Sequence, residues 1–162
     1  MTRREMREHC FKMFFGAIFY PPDEAAAQAE QYFASPEEED TAQDGTVEII
    51  HRVDMSETDR AFLISRVEGM VGKIPELDEK LDAVAQGWKT RRMGRVELTI
   101  LRQALYEMAY DSEVPDKVAI NEAVELAKRF GGKDSAAFVN GVLAKMVRKD
   151  DAPSQRYRLS ES

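Results

Sequence analysis

RVELTILRQALYEMAY, Arg95 to Tyr110, is the stretch on which the fold turns. Val96, Ile100, Leu101, Ala104, Leu105 and Met108 recur in it at helical spacing, and at about 100° per residue they cover more than half of the circumference. A helix apolar on so many sides is buried by several neighbours, so the stretch predicts the central helix of an all-α bundle. Strict alternation over a strand length is hard to find outside Thr46 to Val53, which argues against a sheet fold.

Downstream, a turn at Val114-Pro115 leads into a sixth helix from about Lys117 to Phe130. Gly131-Gly132 closes it, glycine permitting the left-handed conformation of a helix stop. Asp134 or Ser135 then caps a seventh helix carrying Phe138, Val139, Val142, Leu143 and Met146, and residues 151–162 read as a disordered polar tail. Upstream, the first helix runs from about Arg3 to Tyr20, where Pro21-Pro22 stops it, and the second from about Asp23 to Ala34. Residues 35–55 carry an acidic run without helical periodicity and read as a long mobile connection. Ser56 with Asp59 begins a third helix that ends near Gly72. Pro75, suited to a first helical turn, begins a fourth that breaks at Gly87. The expectation is one domain over residues 1–150: about seven helices in two helical subdomains, about 3–86 and 95–149, with no internal repeat.

The chain has 162 residues, 43% of them hydrophobic, enough to bury a core without disulfides. Cys10 is the single cysteine, and the start MTRREMRE lacks an apolar signal stretch, so a reducing cytoplasm fits. No run reaches the roughly 18 apolar residues of a membrane span, which excludes a membrane protein of that kind. A net charge of −7 opposes nucleic-acid binding on average. Positive charge is nevertheless gathered at Arg3, Arg4, Arg7 and Lys12, at Lys89, Arg91, Arg92 and Arg95, and from Lys145 to Arg158. Islands of this kind bind RNA locally or simply face water.

Catalysis finds little support. His9 and His51 lack metal-ligand partners at zinc-motif spacing, so no metal is expected. His9 and Cys10 are adjacent on a helix and point about 100° apart, which prevents their acting as a base and nucleophile pair. Gly131-Gly132-Lys133-Asp134-Ser135 lacks the spacing of a phosphate-binding loop. Carboxylate pairs such as Glu122 with Glu125 read as solvated helix faces, and Trp88 as packing over a core edge. No catalytic residue and no cofactor is assigned.

The first helix carries more. Met6, Cys10, Met13, Phe14 and Ala17 share one face, suited to a core. Beside it run Arg4, Arg7, Phe11, Phe15 and Ile18, from guanidinium groups to aromatics. That second stripe either buries its phenylalanines against another helix or forms a binding surface. As a surface, its arginines would suit phosphates and stacked bases, and its aromatics an apolar protein partner.

KVAINEAVELAKRFG from Lys117 to Gly131, followed by DSAAFVNGVL from Asp134 to Leu143, resembles the NusB family. RRxxRE from Arg3, VELTILRQALYEM from Val96 and EVPDKVAINEA from Glu113 support the likeness, which covers essentially Arg3 to Arg148 and is weak between Pro22 and Asp82. The resemblance implies a NusB-like helical bundle and a non-enzymatic transcription antitermination factor. Such a factor pairs with NusE, a small-subunit ribosomal protein, and with it binds boxA-type RNA. The assembly joins the RNA polymerase antitermination complex and helps elongation, especially on ribosomal RNA operons.

By position, Arg3, Arg4 and Arg7 match the family's RNA-binding start, and Asp134, Ser135 and Phe138 its RNA-proximal last helix. Phe15 and Glu97 match positions facing NusE. From the residues alone, Phe138 also reads as core, Asp134 or Ser135 as a helix cap, and Glu97 as a carboxylate favoured by the helix dipole. Glu5 interrupts the basic cluster and Phe15 replaces a common tyrosine, which implies weak RNA affinity without the partner. The resemblance also allows a homodimer, which, if built on the same aromatic stripe, would compete with NusE. Two rival readings are a helical adaptor that has lost RNA binding and a fragment of an RNA cytosine methyltransferase carrying a NusB-like domain.

Overall fold

Helices form where the apolar periodicity places them. The computed structural model describes residues 1–34, 38–41, 47–51, 55–85 and 89–149. Its elements are α1 (Arg3–Ala17), α2 (Ala25–Ala34), β1 (Glu38–Thr41), β2 (Val47–His51), α3 (Glu57–Gly72), α4 (Ile74–Val84), α5 (Arg95–Tyr110), α6 (Asp116–Phe130) and α7 (Ser135–Lys149). Trp88, Gly87 and the tail from Asp150 lie outside the described residues, as does part of the acidic connection over residues 35–55. The architecture is the expected all-α one, ornamented by a small antiparallel ribbon. In it Glu38 faces His51 and Thr41 faces Val47, with an irregularity between Glu38 and Glu39. The ribbon's second strand falls within the alternating stretch Thr46 to Val53, so part of the expected connection is ordered by β pairing.

Local chemistry sets the ends. Thr2, in extended conformation, accepts the Glu5 N–H on its hydroxyl at 3.0 Å and starts α1. The helix stops at Ala17, earlier than the expected Tyr20. There the Phe19 and Tyr20 N–H groups bond to the carbonyls of Gly16 and Ala17, tightening the last turn ahead of Pro21-Pro22. Pro22–Glu24 then forms a 3-10 turn before α2. Ser56 accepts the Asp59 N–H at 3.1 Å and caps α3, as the sequence predicts.

The chain forms two compact units, Met1–Gly69 and Met70–Ser162. The boundary falls inside α3, so α4 groups with the C-terminal helices instead of with the first three. In the first unit α1 packs on α2, with Cys10, Met13, Phe14 and Ala17 buried along with the small Ala25 and Ala29. The His9 ring nitrogen bonds to the Tyr32 hydroxyl, and the Arg60 guanidinium lies 4.8 Å from the centre of the Phe33 ring. Burial, reinforced by the negative charge of Glu8, pushes the Tyr32 phenol above its ordinary range.

In the second unit α5 packs against α4, α6 and α7, the central position that its apolar circumference predicts. Ile100, Leu101, Ala104, Leu105 and Met108 are all buried. The buried Thr99 gives its hydroxyl proton to the Arg95 carbonyl at 2.6 Å. Arg102 forms a bidentate pair with Asp78 of α4, both contacts 2.7 Å, which ties α4 to α5. No helix among the described residues is long and apolar enough to cross a membrane.

The stop after α6 works differently from the expectation. Gly131 caps the helix in extended conformation, φ −93° and ψ 179°, so no left-handed residue is needed. Glycine is required there by close approach. A Cβ at Gly131 would stand 2.5 Å from the Ser135 hydroxyl oxygen and 2.7 Å from the Ala127 carbonyl.

Candidate RNA-binding and partner interface

The sequence-predicted site residues fall in two groups, one on each unit. On the first, Arg3 and Arg4 are exposed on the capped first turn of α1, and Arg7 is half-buried one turn on. Residues three and four apart are neighbours on a helix, so Arg7 follows both Arg4 and Arg3 along α1. They stand where the helix dipole is positive, an arrangement that attracts anions despite the exposed Glu5 on the same turn.

The aromatic stripe divides. Phe11 is buried and belongs to the core, which settles its side of the sequence ambiguity. Phe15 is half-buried, with its ring centre 6.0 Å from that of Phe11 and 5.6 Å from that of Phe19. Phe19 and Tyr20 are 53% and 48% exposed, so the stripe continues past the end of α1 into open aromatic surface. Sequence reasoning missed these two because a helix drawn through Tyr20 assigns them faces that the early stop abolishes. The proline pair was the available signal that this turn is tightened.

On the second unit the structure joins residues that the sequence keeps separate. Glu97 stands three residues into α5, after the cap Gly94, and one carboxylate oxygen folds back against Gly94. The other, Oε2, accepts the Ser135 hydroxyl proton at 2.9 Å, and the same hydroxyl oxygen accepts the Gly132 N–H at 2.9 Å. Asp134 is exposed, and its carbonyl receives the Phe138 N–H at 3.1 Å. Phe138 is half-buried on the first turn of α7, while Val139 beside it is buried. Ser135 therefore does not cap α7 with its side chain, as a sequence reading allows; its hydroxyl points back to Gly132 and across to Glu97.

The basic island before α5 is also built. Asp82 accepts the Thr90 N–H at 2.7 Å and the Thr90 hydroxyl at 3.4 Å, and the Lys89 ammonium bonds to the Asp82 carbonyl at 2.9 Å. These bonds hold the 3-10 turn Thr90–Arg92, which leaves Arg91 and Arg92 exposed above the buried Met93. Among the described residues no group of three or more His, Cys, Asp or Glu could hold a metal ion. His9 is engaged by Tyr32, and Cys10 is buried.

The NusB family matches residues 5–148, which take in α1 from Glu5 with Arg7, the central helix and the glycine stop, and begin just after Arg3 and Arg4. The chain belongs to the NusB family. The transcription antitermination protein NusB of Lachnoclostridium phytofermentans is 43% identical over 147 residues, covering 91% of this chain and 99% of that protein. The NusB of Agathobacter rectalis is 38% identical, covering 91% of this chain and 100% of its own length. Among solved structures, T. maritima NusB aligns with a TM-score of 0.74 at 25% identity, over 98% of this chain and 99% of that one. NusB membership therefore spans both units and accounts for the all-α architecture.

Proposed function

We propose that this chain is a transcription antitermination factor that binds boxA-type RNA together with the ribosomal protein NusE. It acts in the cytoplasm, in the RNA polymerase antitermination complex, favours elongation on ribosomal RNA operons, and catalyses no reaction. The observation that carries this reading is the NusB match across residues 5–148; just ahead of it Arg3 and Arg4 stand exposed, on the same helix as the half-buried Arg7. Arg3, Arg4 and Arg7 are assigned to phosphates and bases, and Asp134, Ser135 and Phe138 to the RNA-proximal start of α7. Phe15 and Glu97 are assigned to NusE, with Phe19 and Tyr20 extending the apolar part of that surface.

The test is a titration of labelled boxA-type RNA with the protein, alone and with NusE, at several salt concentrations. Each phosphate contact on a single strand contributes about −0.7 to the slope of log affinity against log salt. The Arg4→Ala, Arg7→Ala variant is therefore expected to flatten that slope by about 1.4. Salt-sensitive binding that NusE strengthens and the variant weakens supports the reading. A NusE complex without RNA affinity would leave the adaptor, the reading that Glu5 and the net charge of −7 favour.

A further inference from the structure

A serine hydroxyl has one proton to give, and that of Ser135 goes to Glu97 at 2.9 Å. Its oxygen already receives the Gly132 N–H at 2.9 Å, and the residue is only 7% exposed. Ser135 thus has no O–H left for RNA while this chain of bonds is intact. What the chain does is mechanical. It runs from the first turn of α5 to the four residues, Gly131 to Asp134, that separate α6 from α7. Acceptance by a carboxylate makes its last bond charge-assisted, stronger than one between neutral groups. The missing Cβ at Gly131 lets the hydroxyl come within reach of Gly132, and the missing Cβ at Gly94 leaves room for the folded-back carboxylate.

We propose that Glu97 is a positioning residue: through Ser135 it fixes the Gly131–Phe138 segment and thereby sets the affinity for RNA at the start of α7. The inference rests on the RNA-binding reading above, and it changes the role of two residues within it. Ser135 acts through backbone placement instead of direct contact, and Glu97 acts on the RNA side whether or not it also meets NusE. Phe138 lies one turn beyond Ser135 and takes its direction from the same anchored start.

Four proteins test this: Glu97→Ala, Glu97→Gln, Ser135→Ala and the Glu97→Ala, Ser135→Ala double variant, each titrated with boxA-type RNA in the absence of NusE. A lost hydrogen bond of this kind corresponds to about a five-fold weaker complex for Glu97→Ala. Glutamine retains an acceptor oxygen for the hydroxyl, so Glu97→Gln is expected to bind within about two-fold of the parent. In the Ser135→Ala background, removing Glu97 should cost nothing further, because residues that act through one another are not additive. In the free protein, amide exchange in Glu97→Ala should accelerate across 131–138 and stay unchanged across 77–84. Additive losses in the double variant would show that Glu97 meets RNA directly, and unchanged exchange across 131–138 would show that it positions nothing; either overturns the proposal. Should the parent protein bind no such RNA, the functional reading itself fails, and the exchange measurement, which needs no RNA, still decides whether Glu97 holds the segment.

Discussion

Removing Asp78 should destabilise this protein more than any surface substitution. Its carboxylate receives two guanidinium N–H bonds from Arg102, each 2.7 Å, and the two side chains are 24% and 11% exposed. Asp78→Ala would leave a cation on the central helix with neither bond nor counter-charge. Breaking a buried pair from one side costs about 3–5 kcal/mol. Because Asp78 keeps a quarter of its exposure, water recovers part of this, and about 3 kcal/mol is expected. For a chain of this size each kcal/mol moves the melting point by about 2–4 °C, so Asp78→Ala should melt about 6–12 °C lower. Asp78→Leu with Arg102→Met should recover most of the loss, since an apolar pair needs no desolvation of charge. Thermal and urea melts of Asp78→Ala, of the singles Asp78→Leu and Arg102→Met, and of their double decide it. A single-variant loss below about 1 kcal/mol, or a double variant as unstable as the sum of its singles, would refute the claim that the pair is coupled and desolvated.

The glycine stop supplies a contrast. Gly131→Ala should destabilise by about 1–3 kcal/mol in urea melts, because its Cβ meets Ser135 and the Ala127 carbonyl. Gly132→Ala, with nothing within 4 Å and the same N–H to donate, should be neutral or stabilise by up to about 1 kcal/mol. Thr2→Ala removes the α1 cap and should cost about 1 kcal/mol, with a local rise in amide exchange over residues 3–7. Tyr32 titrates higher in the folded state than its ordinary 10.0, so the unfolded chain releases that proton first. Its contribution is fully present below pH 10 and lost as pH rises beyond it, and Tyr32→Phe should flatten the decline seen in alkaline urea melts. Phe19→Ser should leave the melting point within about 1 °C, since the ring is 53% exposed, yet weaken capture of NusE by an immobilised protein.

The helices were legible because burial imposes a period on the residues that pack. Arg95 to Tyr110 is apolar on most sides and is surrounded; Ser56 looks like a cap and is one. What the sequence could not carry depends on contacts between distant positions. Glu97 and Ser135 are 38 residues apart, and no local rule tells a serine at a helix start to bond outward instead of into its own helix. The same holds for Asp78 and Arg102, 24 residues apart, whose pairing places α4 with the C-terminal unit. Gly131 is legible as a stop but its cause is not, since close packing and a left-handed turn both select glycine. Arg4, Arg7 and Phe15 are marked by the helical spacing of α1 and again by the family motifs, whereas the exposure of Phe19 and Tyr20 follows from the end of α1 at Ala17.

A net charge of −7 and an RNA-binding role are compatible because charges act over short range in salt. At physiological ionic strength the screening length is about 8 Å, so a phosphate beside Arg3 and Arg4 responds mainly to the first turns of α1. There the positive helix end adds to the guanidinium groups, and only Glu5 and Glu8 oppose them nearby in the chain. The remaining negative charge penalises polyanions that approach any other face, and so suppresses non-specific binding more than specific binding. On the proposed reading, affinity for RNA would rest on few contacts and be correspondingly sensitive to each. Reversing Glu5 to lysine should then strengthen RNA binding at low salt and steepen the salt slope by about 0.7 if a phosphate lies within reach. An unchanged slope in that variant would mean that the strand does not pass over the first turn of α1, and that the RNA surface must be sought on the second unit alone.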